Sequence, residues 1–421
     1  MGNGALSRPR AARAAFALLG LAAATIFIAA LASAAGAAQP RVPPPPQLPA
    51  KAAALTVLGT GQQLYGLNSS AERPIASTTK LMTALQVLTH ASLSKIVTEP
   101  NFHFAADDSQ IYLSPGERMS IHDLMIAMLL PSADDAAEDL AYNVGGGSLQ
   151  RFIAMMNQGA RALHLDHTHY STPVGLDTAG NYSSASDLVK LAGYLLQHYP
   201  FFARVVALPA ATLKTGNHPR YVINRNDLVA RFSWIHGVKT GHTSRAGYVL
   251  VGEGSKGGMT LLSAVLGTPS ETARDNSTLS LLDWGYANFR MARPITAGAV
   301  VARPTANGYS DRHAPVIATR GFSWAVPRGA HVRLRISLAH NMDGPLKRHA
   351  RVGSATVFDG TKPVGHVPLV LERALSGLSL PTRVARFITK PISLVVLIVI
   401  LAAVALIVLR RSRRRVRSVR A

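Results

Sequence analysis

Ser77-Thr78-Thr79-Lys80 and Lys239-Thr240-Gly241 are two strings whose residue types and spacing suit chemistry. A serine opening an apolar helix, with a lysine three residues on, has that lysine one turn away on the same face. The ammonium then lies within reach of the hydroxyl, so Ser77 is a candidate nucleophile and Lys80 its base. The free N–H groups of a helix N-terminus add positive potential where an oxyanion forms. K-T-G running into an apolar strand supplies a lysine and a hydroxyl for binding an anion.

Neither string is specific alone, since a chain this long holds about one or two S-x-x-K by chance. Second copies exist at Ser92-Leu93-Ser94-Lys95 and Lys214-Thr215-Gly216. Context chooses between them. Ser77 precedes Leu81, Met82, Ala84, Leu85, Val87 and Leu88, spaced for one buried helical face. Ser92 falls where that helix runs out. Lys239 leads into the apolar run Gly247–Gly252, whereas Lys214 is followed by Asn217, His218 and Pro219, which reads as loop.

The elements around these strings suggest a catalytic region over residues 51–290. Leu55–Leu58 and Gln63–Tyr65, joined by Gly59-Thr60-Gly61, read as an opening hairpin. Ser120-Ile121-His122-Asp123 has the capping-box pattern and opens a run, Leu124–Leu130, that is apolar all round and therefore central. Helices are expected at Arg151–Leu163 and Ala185–His198, and strands at Tyr248–Gly252 and Thr260–Leu266. Strands at both ends with helices between give an α+β arrangement, an antiparallel sheet packed with a helical cluster. From residue 291 to 375 the pattern changes to alternation, clearest in His331–Ser337. A D-G turn at Asp359-Gly360 lies between Ala355–Phe358 and Val364–Leu371, which suggests a small C-terminal β-domain.

The remaining segments read as targeting. Residues 1–37 have three arginines, an apolar stretch and small residues at a cleavage position, as in a signal peptide. Residues 38–50 are a Pro-rich linker. Residues 376–391 form a second linker or an amphipathic approach. Ile392–Leu409 is an uncharged apolar run of eighteen residues, about 27 Å as a helix, and reads as a transmembrane helix. Residues 410–421 are a basic tail expected on the cytoplasmic side, leaving the body outside the membrane.

Composition limits the alternatives. The chain has 421 residues, 48% hydrophobic residues and no cysteine, which excludes bulk disorder, thiol catalysis and disulfides. The net charge is +22, but ten arginines belong to the two termini and about +12 remains on the rest. The arginine tail directly follows an apolar span and no binding module precedes it, so no nucleic-acid partner is expected.

Residues 55–289 resemble the D-alanyl-D-alanine carboxypeptidases among the low-molecular-mass penicillin-binding proteins. The strings that carry the resemblance are Pro74–Thr83; Leu129-Leu130-Pro131-Ser132-Ala133-Asp134-Asp135-Ala136; Gly175-Leu176-Asp177 with Tyr182–Ala185; and Gly237–Thr243. The resemblance implies that Ser77 attacks the carbonyl between two D-alanines of a peptidoglycan stem pentapeptide. Lys80 takes its proton, and Ser132 passes one to the leaving amine. Lys239 holds Ser132, Thr240 of the K-T-G (ending at Gly241) binds the terminal carboxylate, and the main-chain N–H groups of Ser77 and His242 form the oxyanion hole. Arg274 matches a position that meets the substrate carboxylate. It also implies acylation by β-lactam antibiotics, and neither a metal nor another cofactor.

Two departures stand out. The family's middle motif is S-x-N, and this chain has Ser132-Ala133-Asp134 in its place. An amide that donates and accepts becomes an acceptor-only anion. Val174 occupies a position before Gly175 where relatives often carry a polar residue. A β-lactamase and a non-catalytic penicillin-binding wall scaffold are the competing readings. No glutamate lies between Asp139 and Arg245 to serve a deacylating role, which disfavours the first.

Overall fold

The computed structural model describes residues 42–105, 108–304, 314–339, 345–375, 380–388 and 391–418. The expected signal peptide lies outside the described residues, as does the end of the basic tail. The chain divides into two compact units. One comprises residues up to Arg290 together with Pro327–Ala330; the other holds Met291–Val326 and the chain from His331 onward.

The first unit is α+β. Its opening hairpin is β1 (Ala52–Val57) and β2 (Gln63–Leu67). There follow α1 (Lys80–His90), a short hairpin of β3 (Ile96–Thr98) and β4 (Arg118–Ser120), then α2 (Ile121–Leu129), α3 (Asp134–Val144), α4 (Leu149–Ala162), α5 (Ala185–His198) and α6 (Pro200–Val206). A ribbon of β5 (Ala210–Leu213) and β6 (Arg220–Ile223) leads through α7 (Leu228–Arg231) to β7 (Ile235–Thr243), β8 (Gly247–Lys256), β9 (Met259–Thr268) and α8 (Glu271–Asn288). The main sheet is antiparallel in the order β2-β1-β9-β8-β7.

Alternation on β9 explains how this sheet is covered. Successive side chains point to opposite faces. On α5, a Cβ at Gly193 would lie 3.2 Å from Leu262, whereas on α8 one at Gly285 would lie 2.6 Å from Leu261. The two helices thus approach opposite faces of the same strand, each through a glycine. The core extends from the sheet into α2, where Ile121 and Leu124–Leu129 are all buried. This is the central helix that its unbroken apolar run predicts.

Two local expectations are corrected. Ser77 does not sit in the first turn of α1; Ala76–Thr79 form a 3₁₀ turn that precedes it. Ala76 takes a left-handed φ of 47°, and both the N–H and the hydroxyl of Thr78 fold back onto Ile75 O, which tightens the chain there. The capping box of α2 is only half made. Ser120 Oγ accepts from Asp123 N, but the Asp123 carboxylate is drawn away to the N–H groups of Lys214 and Thr215 and to the Thr215 hydroxyl.

The second unit contains most of β10 (Phe289–Ile295), then β11 (Val300–Ala302), β12 (Val316–Ala318), β13 (Phe322–Pro327) up to Val326, β14 (Val332–Leu338), β15 (Arg351–Asp359) and β16 (Lys362–Leu371). Its five-stranded sheet has the order β11-β12-β16-β15-β14, and Asp359 pairs with Lys362 across the D-G turn. Val316, Val357, Val367, Leu369 and Leu371 form its core. Farther on come α9 (Leu380–Ile388) and α10 (Pro391–Ser418). Among the described residues, the window long and apolar enough to cross a membrane is Leu394–Arg411, which overlaps the span read from the sequence.

Candidate active site

The cleft forms where the serine turn, the loops at Ser109, Ser132 and Arg225, strands β7 and β8 and the start of α8 meet. Its volume is about 450 Å³, and Ser77, Ser109, Ser132, Arg225, Thr240, Gly241, His242, Tyr248, Glu271 and Arg274 line it. Among the described residues strand β7 pairs only with β8, so its other edge is open to border the cleft. Close approach of this edge to the serine turn requires Gly241. A Cβ there would lie 2.9 Å from Ser77 N and 3.0 Å from Ala76 Cβ. Behind the turn, Gly175 has a φ of 97°, and its missing Cβ leaves room for Ala76 O. Thr83 Oγ1 donates to Pro173 O and Asn181 Nδ2 donates to Thr79 Oγ1, so the 172–182 loop fixes the turn from the other side.

Lys80 is fully buried, and its Nζ lies 3.1 Å from Ser77 Oγ, 2.6 Å from Asp134 Oδ1 and 2.9 Å from Val174 O. A neutral lysine amine has two N–H groups and one lone pair. Asp134 and Val174 O accept two N–H bonds, which turns the lone pair of the neutral form toward the Ser77 hydroxyl. Burial pushes the Lys80 ammonium below the usual lysine range; Asp134 pulls it back up, and Arg225 lowers it again. Val174 therefore contributes its carbonyl, a function its apolar side chain does not prevent. No hydrogen bond from Ser77 N–H occurs among the described residues, as an oxyanion donor requires.

Asp134 also ties the cleft wall together. Its Oδ2 accepts from Ser109 N at 3.1 Å, and its own N–H donates to Ser109 O. Ser132 has a left-handed φ of 69°, and its buried Oγ has no hydrogen-bond partner among the described residues. The expected contact with Lys239 is not made. Lys239 Nζ turns instead to Thr240 O at 3.1 Å. Burial pushes Lys239 well below the usual lysine range, with Lys80 and Arg225 adding to the effect.

Arg274 is buried in the first turns of α8, where Nε donates to Asp275 and Nη2 to Glu271 at 2.8 Å each. Its Nη1 makes no hydrogen bond among the described residues. His242 is exposed and its ring packs on Tyr248, with centroids 4.0 Å apart. The second copies of the motifs lie elsewhere. Ser92 is exposed and bonds to Ser94, and Lys214 is exposed at the end of β5. Sequence reasoning missed Arg225, Ser109 and Tyr248. Arg225, between Asn224 and Asn226, has the look of a turn residue, and only the fold brings it to the cleft.

A serine beside a buried lysine, an unpartnered second serine and a cationic wall define a serine acyl-transfer site on an α+β scaffold. The sequence pattern of D-alanyl-D-alanine carboxypeptidase, peptidase family S11, matches residues 38–270, and that of the penicillin-binding protein 5 C-terminal domain matches residues 289–376. The chain belongs to the D-alanyl-D-alanine carboxypeptidase family. It is 31% identical to D-alanyl-D-alanine carboxypeptidase DacD of Escherichia coli over 87% of its own length and 97% of that protein. Penicillin-binding protein 5 of Haemophilus influenzae superposes with a TM-score of 0.68 at 26% identity, covering 79% of this chain and 99% of that one. A DD-transpeptidase from Streptomyces has a TM-score of 0.56 at 32% identity, covering 58% of this chain and all of that one (100%).

Proposed function

We propose that this protein removes the terminal D-alanine from peptidoglycan stem pentapeptides through an acyl-enzyme on Ser77, and that β-lactams acylate the same serine. The observation that carries this reading is the 3.1 Å contact between Ser77 Oγ and a fully buried Lys80 Nζ. The substrate lies along the free edge of β7, with its terminal carboxylate toward Thr240 and Arg274. Ser77 Oγ bonds to the carbonyl carbon while its proton passes to Lys80 Nζ. The main-chain N–H groups of Ser77 and His242 receive the oxyanion, each worth about 3–4 kcal/mol. Ser132 delivers a proton to the leaving nitrogen, the C–N bond breaks and free D-alanine departs. Water then cleaves the ester and releases the shortened peptide.

The test is release of D-alanine from a synthetic pentapeptide ending in D-Ala-D-Ala. Release of one D-alanine per peptide is expected. Penicillin labelling without any release would instead mark a non-catalytic penicillin-binding protein.

The C-terminal helix is the membrane anchor in this reading, with the arginine tail in the cytoplasm and the catalytic unit outside. The apolar window Leu394–Arg411 supports it. Deleting residues 391–421 is expected to move active protein to the soluble fraction. Retention on salt-washed membranes would refute α10 as the sole anchor.

A further inference from the structure

Beside the cleft, and sharing Arg225 with it, lies an open groove of about 600 Å³. Gln110 and Pro131 on its wall are the chain neighbours of Ser109 and Ser132 in the cleft. Three large apolar side chains stand out of it into water: Tyr112 is 73% exposed, Tyr221 71% and Ile223 63%. Alternation on β6 puts Tyr221 and Ile223 on its outward face while Arg220 and Val222 point in. Clustered apolar exposure of this kind marks a binding surface.

The Tyr112 ring is held out at a cost. Its φ is 59°, a left-handed conformation that a bulky side chain rarely adopts. The buried Asp135 carboxylate accepts from the N–H groups on either side, Ile111 and Leu113. From below, Arg220 Nε donates to Ile111 O, and the Arg220 guanidinium is itself paired to buried Glu117. Such strain persists where the surroundings impose it, and it concentrates at functional positions.

The geometry points to this groove as a subsite for a pyranose ring of the glycan strand that carries the stem peptide. This assignment rests on the carboxypeptidase reading. The C–H face of a pyranose is weakly positive and lies well against the negative face of a tyrosine ring, whose hydroxyl end stays wet. Hydroxyl and N-acetyl groups find partners in the same groove. One N–H of the Gln110 amide donates to Ala105 O, and its carbonyl accepts no hydrogen bond among the described residues. His218 is exposed, and Arg225 lies at the junction with the cleft.

The test compares two ligands that the reaction does not consume, a disaccharide-tetrapeptide and the same tetrapeptide without sugar. Calorimetry gives Kd for each with the full chain, with Tyr112→Ala and with Tyr221→Ala. Each substitution is expected to weaken the sugar-bearing ligand about five- to tenfold and to leave the sugar-free one unchanged. Tyr112→Gly, which relieves the backbone strain, is expected to lose the same affinity with no drop in melting temperature. Equal weakening of both ligands would assign the groove to the stem peptide and overturn the inference; so would no weakening of either. D-alanine release from a sugar-free pentapeptide, assayed in parallel, is a separate readout. Its absence would sink the proposed reaction while leaving the affinity difference to decide the groove.

Discussion

Lys80 Nζ and Asp134 Oδ1 are 2.6 Å apart, and both side chains are withdrawn from water. The pair sits on the proton path of the proposed reaction. A base must be neutral to accept the Ser77 proton, yet a carboxylate at this distance favours the ammonium. Burial opposes it and dominates, so the lysine lies below its ordinary range in spite of Asp134. Removing one partner of a buried pair exposes the balance between the two.

Asp134→Asn should therefore move the acidic limb of penicillin acylation to lower pH. The sign follows from the causes. Asp134 raises the lysine pKa, burial and Arg225 lower it, and Asp108 adds a smaller upward push. An amide keeps the hydrogen bond to Lys80 and removes the charge. Each unit of downward shift, about 1.4 kcal/mol, makes the neutral amine roughly tenfold more abundant on the acid side. Acylation rates from pH 5 to 9 for both forms check this, and an unmoved limb would leave Asp134 without an electrostatic influence on the base.

Ser77→Ala should abolish covalent labelling by penicillin, whereas Ser92→Ala should leave it intact. Ser77 faces the cleft beside Lys80, while Ser92 and Lys95 are both exposed. Mass spectrometry of the labelled peptide decides. An adduct on Ser92 would overturn the assignment.

These results show what periodicity reveals and where it stops. The helical face after Ser77 and the unbroken apolar run of α2 were legible because burial writes a repeat into the sequence. The 3₁₀ turn was not, since it depends on one left-handed residue, Ala76, with no glycine to announce it. Lys239 was assigned by motif to Ser132, but its short-range choice of Thr240 O is a matter of rotamer and burial. Arg225 and Tyr112 escaped for a related reason. Each acts through the place to which a turn or a strained backbone directs it, and composition carries no trace of that.

Gly241→Ala should slow acylation while leaving the fold intact. The added methyl would stand 2.9 Å from Ser77 N and 3.2 Å from Ile75 O, so the strand edge or the serine turn must move. Either movement disturbs the Ser77 N–H as an oxyanion donor. Loss of one such donor costs about a hundredfold or more in kcat. D-alanine release and penicillin acylation should fall together, with far-UV dichroism unchanged. A variant with normal kcat would show that the Ser77 N–H does not bind the oxyanion.

Glu117→Gln should reveal an acid-sensitive clamp that joins the loop before β4 to the β5–β6 ribbon. Glu117 is buried and accepts from Arg220 Nη1 and Nη2 at 2.8 and 2.9 Å, and from the N–H groups of Ser114 and Asn217. Burial alone would raise its pKa, but these donors, Arg220 foremost, hold it down to about 2 against an ordinary value of 4.5. A depressed carboxylate contributes stability that is complete above about 4.5 and is lost as pH falls through about 2. At pH 7 the variant should be less stable by about 3 kcal/mol, because Arg220 is left buried without its counter-charge. Urea unfolding at pH 7, 5 and 3 measures the gap between the two proteins. It should be constant from pH 7 to 5 and begin to close by pH 3. A gap that stays the same at pH 3 would place the effect in packing and not in the ion pair.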